Sequence, residues 1–145
     1  MLFRSSNSLN NLAAVTFANH EYGAAHELYT QALKVAHEFG DKIVISHALD
    51  GFAALAVEFG DLENAARLAA AAEEIHQAIG FQREPAEQRF RETYLTELRQ
   101  KLLEPALSSA FAEGRKLVVA EAVALALTFM MPAPPGKSSA GATGT

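Results

Sequence analysis

The chain has 145 residues, half of them apolar, with no cysteine and a formal net charge of −5. That length buries one shared core rather than two, and the missing cysteines exclude disulfide scaffolds, thiolate-bound zinc and thiol catalysis. Residues 1–80 carry four basic side chains against ten acidic ones and residues 81–116 are close to neutral, so no basic stripe offers nucleic acid an electrostatic footprint.

Gly, Asp and Pro divide an otherwise helical pattern into seven segments. The first is expected from about Ser8 to Asn19, with Ser6 or Ser8 as N-cap and Leu9, Leu12 and Val15, or else Ala13 and Phe17, turned inward. After a turn at His20–Glu21 a second helix runs from about Tyr22 to Phe39, burying Ala25, Leu28, Tyr29, Ala32, Leu33 and Ala36. Gly40 suits the left-handed residue that ends many helices, and Asp41 can cap the third, about Lys42 to Phe59. Gly60-Asp61 turns into a fourth helix, about Leu62 to Ile79, which Gly80 closes.

The pattern then changes. Pro85 opens a fifth helix to about Leu103, burying Phe90, Tyr94, Leu95, Leu98 and Leu102, and its first turn holds favourable acids. Pro105 leads into a short sixth helix with Leu107 and Phe111 inward, ending near Gly114, and a seventh spans about Val119 to Phe129. The apolar run Leu117–Met131, about 15 residues with Glu121 inside it, is too short to span a bilayer and reads as a packed terminal helix. The opening MLFRSSNSLN lacks the apolar centre of a secretory signal, so a cytoplasmic protein is expected. PAPPGKSSAGATGT has no apolar periodicity and reads as a disordered tail.

The first four segments echo one another at a step of about 40 residues. Leu12 and Ala13 fall on Phe52 and Ala53; Ala25, Leu28 and Ala32 fall on Ala65, Leu68 and Ala72; Gly40 falls on Gly80. Helix pairs that cannot bury their apolar faces alone do so by stacking, and the alanines at matching positions let helix axes approach closely.

At these positions the chain resembles the tetratricopeptide repeat family: Leu12-Ala13 in the first helix, then Ala25, Tyr29 and Ala32 in the second. The second copy has Phe52-Ala53, then Ala65, Ala69 and Ala72, without the aromatic residue. The step exceeds the usual period of about 34, and Gly40-Asp41 and Gly80 stand where the family's closing proline would be. Longer helices of this kind resemble the repeats of bacterial STAND-class signalling ATPases and LuxR-type regulators. The stretches GDLENAARLAAAAEEIHQAIG and FAEGRKLVVAEAVALAL resemble the carboxy-terminal end of such regulators, where a Ser or Thr usually precedes the last helix; Val118 and Val119 stand there instead.

The resemblance, over residues 8–129, implies an all-α fold of antiparallel helix pairs in a short right-handed solenoid. A lead (1–7) precedes two repeats (about 8–40 and 48–80), capping helices (81–131) and the tail (132–145). It places Leu12, Ala13, Ala25, Tyr29, Ala32, Phe52, Ala53, Ala65, Leu68 and Ala72 in the packing between helices. It also implies a concave binding face: Asn7, Asn10, Asn11, Ala14 and Phe17 from the first repeat, and His47, Asp50, Ala54, Val57 and Glu58 from the second. That face holds no Lys or Arg, so it suits an apolar or basic segment.

Catalytic and cofactor chemistry find little support. GKSS at Gly136–Ser139 resembles the end of a phosphate loop but has Met131 where the leading Gly belongs. His26-Glu27 and His37-Glu38 lack a second His four residues on, so no one-helix zinc site forms, and Glu73 and Glu74 read as solvated surface. The expected function is a non-catalytic module for protein contact or self-association, without cofactor, metal, direct nucleic-acid contact or membrane attachment. It would form the carboxy-terminal part of a bacterial signalling or transcription regulator, or a stand-alone remnant of one, the tail of a longer array whose leading edge is exposed. A small-molecule effector-sensing domain of such a regulator is the alternative.

Overall fold

A computed structural model describes residues 5–131, and all regular structure in that span is helical. The helices are α1 (Ser6–Ala18), α2 (Tyr22–Phe39), α3 (Lys42–Glu58), α4 (Leu62–Ile79), α5 (Pro85–Lys101), α6 (Ala106–Arg115) and α7 (Val119–Thr128). The expected tail at 132–145 with its GKSS, and the start of the lead, lie outside the described residues.

The 40-residue echo is also an echo of backbone geometry. α2 and α4 are both 18 residues long and end on left-handed glycines, Gly40 and Gly80, each at φ 71°. The preceding helices end together as well, α1 at Ala18 and α3 at Glu58. Their turns share a positive φ, 64° at His20 and 83° at Gly60. A histidine therefore takes a conformation that its counterpart meets with glycine, at a steric cost that glycine avoids.

The helix starts show which polar groups satisfy the free N–H donors. Ser5, rather than Ser6 or Ser8, caps α1, accepting from Ser8 N–H at 3.1 Å. Asp41 caps α3 by accepting from Val44 N–H at 3.2 Å. Where no Ser or Thr precedes α7, Glu121 reaches back to accept from Val118 N–H at 3.0 Å. Glu87 does the same for Glu84 N–H at the start of α5. A glutamate three residues past the N-cap thus anchors α5 and α7, neither of which begins on a hydroxyl cap.

Consecutive helices from α1 to α4 pack antiparallel on one another. α3 is the centre of the molecule, touched by α1, α2, α4, α5 and α7, and it is buried without interruption from Val44 to Val57. Within α1 the buried apolar side chains are Leu9 and Ala13, whereas Leu12 and Val15 are 37% and 59% exposed. Of the ten positions assigned to packing between helices, Leu12 alone lies open; the other nine are at most 1% exposed.

After α4 the chain crosses over: α5 lies on α3 and α4, and α6 packs along α4. That last contact is close enough that a Cβ on Gly114 would collide with the backbone carbonyl of Arg67. α7 then runs back over α4 and α3 to α2, where His26 Nε2 lies 3.2 Å from the Phe129 carbonyl oxygen. The apolar run that ends the described chain is a packed helix, and no described helix is long and apolar enough to cross a membrane.

Candidate functional site

A groove of about 290 Å³ opens where α1, α3 and α5 meet, with Tyr29 of α2 in its wall. α1 supplies Asn10, Asn11, Ala14 and Val15; α3 supplies His47 and Asp50; α5 supplies Ala86, Glu87 and Phe90. Tyr29 can lie there because its partner on α3 is Gly51, where any Cβ would fall inside the tyrosine ring. Tyr29 is thus both buried in the core and part of the groove wall.

Half of the ten residues placed on the concave face line this groove: Asn10, Asn11, Ala14, His47 and Asp50. The other five lie elsewhere. Asn7 and Glu58 are exposed, Ala54 and Val57 are in the core, and Phe17 packs on Tyr22 and Phe90. The reason is that α5 covers α3 and closes the face to a shorter groove.

Behind the groove lies a polar network whose cationic members the repeat pattern did not foretell. Asp50 is 5% exposed, and its Oδ1 accepts from Arg91 Nη1 at 2.5 Å and from the Tyr94 hydroxyl. Arg83 Nη2 stands 3.7 Å from Asp50 Oδ2, and Arg83 Nη1 donates to Glu73 Oε1 at 3.0 Å. Arg91 also donates to the Ala69 carbonyl at 3.1 Å, tying α5 to α3 and α4 together. Glu73 is therefore a half-buried ion-pair member rather than solvated surface; Glu74 is exposed.

Burial raises the Tyr94 hydroxyl well above its ordinary range, and the charge of Asp50 adds to the effect, so Tyr94 stays protonated and donates. Burial disfavours the Arg91 charge, but Asp50, Tyr94 and Glu73 outweigh it and hold the guanidinium protonated. Burial alone would raise the Glu73 carboxyl; hydrogen bonds from Gln77 and Arg83, with the charges of Arg91 and Arg83, bring it below its ordinary value. Burial and the Arg83 charge push His76 down.

Several buried polar atoms here lack hydrogen-bond partners among the described residues: Asn10 Oδ1, both ring nitrogens of His47, His76 Nε2, and Nε and Nη2 of Arg83. The His47 Nδ1 to Glu87 Oε2 separation is 3.3 Å, and the His47 and His76 rings both meet Phe81 edge-on. An unpaired buried polar group costs about 1–3 kcal/mol, so this concentration marks a place where stability is given up.

Sequence reasoning places Phe90 and Tyr94 inside the fifth helix's buried face without a site role, and misses Arg83, Glu87 and Arg91. A signal for most of them existed. Glu87, Arg91, Tyr94 and Leu98 recur at helical spacing on one face of α5, so Arg91 sits within the apolar stripe. Among the described residues, no group of three or more His, Asp or Glu is placed to hold a metal ion. No family model, curated protein or solved structure matches this chain.

Proposed function

We propose that this chain is a non-catalytic helical-repeat module that mediates protein contact by receiving a peptide segment in the groove between α1, α3 and α5. The carrying observation is that apolar and aromatic walls from three helices enclose Asn10, whose buried side-chain oxygen has no partner. A volume of about 290 Å³ lies at the lower edge of the usual range for small-molecule pockets, roughly 300–1,000 Å³. It suits one or two side chains of a bound segment. The tetratricopeptide-like pairing of α1 with α2 and α3 with α4 supports the same reading, as does the resemblance to the repeat regions of signalling regulators. In such a parent the module would act in the cytoplasm as a contact surface, with no direct role at DNA or membrane.

Panning a display library of random peptides on the full chain tests this reading. Ala14→Trp fills the groove from an incompletely buried position of α1, and circular dichroism reports whether the helices are kept. Binders that are enriched on the native chain and lost on the helical variant are expected. Failure to enrich any binder, or enrichment indifferent to the substitution, overturns the proposal.

A further inference from the structure

We infer that the groove selects a lysine side chain of the bound segment; this rests on the groove being the contact site. Its charged lining residues are Asp50 and Glu87, and no Lys or Arg lines it. Asp50 Oδ1 is fully engaged by Arg91 and Tyr94, but Oδ2 has only Arg83 at 3.7 Å, beyond hydrogen-bond distance. Glu87 keeps one oxygen on Glu84 N–H and has the other beside His47, with its side chain 30% exposed at the groove. Across the wider network three carboxylates, Asp50, Glu73 and Glu87, face two guanidiniums, Arg83 and Arg91, and the groove lining holds two of the carboxylates and neither guanidinium.

Asn10 adds an acceptor from α1 that has no donor. Acceptors thus come singly from three helices, which matches the radiating donors of an ammonium better than the planar fork of a guanidinium. Half-buried Phe90 lines the wall, where a four-carbon stem packs and a cation gains from the ring face, and buried Tyr29 closes the groove behind it. An anionic occupant would meet two carboxylates with no cation in the lining.

The test is an amide and side-chain NMR titration of the full chain with three capped pentapeptides, Ala-Leu-Xaa-Leu-Ala, in which Xaa is lysine, norleucine or glutamate. Hexylammonium chloride is a fourth probe. The lysine peptide is expected to shift the Asn10 side-chain amide and the Ala14 and Glu87 backbone, binding about tenfold tighter than the norleucine peptide. Glu87→Gln, which keeps the acceptor for Glu84 N–H, should remove most of that difference. Equal or tighter groove binding by the norleucine or glutamate peptide overturns the lysine inference while leaving the groove as the site. Hexylammonium binding as tightly as the lysine peptide also overturns it, in favour of a free amine. Shifts that avoid the groove with every probe overturn both readings.

Discussion

Arg91 on α5 donates to the Asp50 carboxylate on α3 at 2.5 Å, with both side chains at most 10% exposed. The pair joins residues 41 positions apart and holds α5 to the central α3. Removing one partner of a buried pair strands the other charge, which costs about 3–5 kcal/mol, whereas replacing both with apolar groups of similar size is often near neutral. Arg91→Met alone is therefore expected to lose about 3–5 kcal/mol in reversible urea unfolding. The double variant Arg91→Met with Asp50→Leu should lose clearly less than the sum of the single losses. Additive losses would show the two residues to be uncoupled.

Acid should destabilise the fold in two stages. His76 titrates below its ordinary 6.5 when folded, chiefly because burial disfavours its charge. Its unfolded form therefore binds more protons as pH falls through 6.5, and stability drops until the folded ring also protonates. Glu73 is likewise depressed from 4.5, so its contribution is complete above that value and disappears as pH falls through its folded value. Thermal unfolding from pH 8 to pH 3 should show both declines. His76→Gln should remove the upper one and leave the lower.

Two neighbouring substitutions on α6 should differ sharply. Gly114 faces the Arg67 backbone, which cannot move aside as a side chain can, so Gly114→Ala should cost about 1–3 kcal/mol through overpacking. Glu113 pairs with Arg67 at 2.6 Å, but its side chain is 53% exposed, and such surface bridges contribute only about 0–1 kcal/mol. Urea midpoints of Gly114→Ala and Glu113→Gln check the order, and the reverse order would contradict the close approach of α4 and α6.

The turn between α1 and α2 should accept a stabilising change. His20 is exposed and holds φ at 64°, where its counterpart is Gly60. His20→Gly removes a left-handed cost of about 1–2 kcal/mol and loses the 2.8 Å contact of Nδ1 with the Tyr22 hydroxyl. A net gain of up to about 1 kcal/mol is expected in thermal unfolding. A loss of stability would show that the Tyr22 contact outweighs the backbone strain.

The helix count and most helix boundaries were legible because their signals are local. Gly40 and Gly80 end helices by adopting a conformation that other residues resist, and Pro85 starts one at a position where its missing N–H is harmless. Leu12 and Val15 misled because α1 has no helix on its outer side among the described residues, so helical spacing alone could not tell the facing stripe from the open one. Leu9 and Ala13 are the apolar residues of α1 that are buried. Helical periodicity carries α5 to about Leu103, whereas the helix stops at Lys101 and Leu102 is extended.

By itself the sequence determined the all-helical class and the 40-residue echo. These follow from propensity, capping and periodicity, which act over a few residues. Only the tertiary structure decided that α5 lies across α3, that Arg83 and Arg91 meet Asp50, and that α7 returns to α2. The physical reason is that charge pairing and groove shape depend on contacts between residues distant in the chain. An arginine on an apolar stripe announces that it needs a partner, but the packing of α5 on α3 chooses Asp50 as that partner.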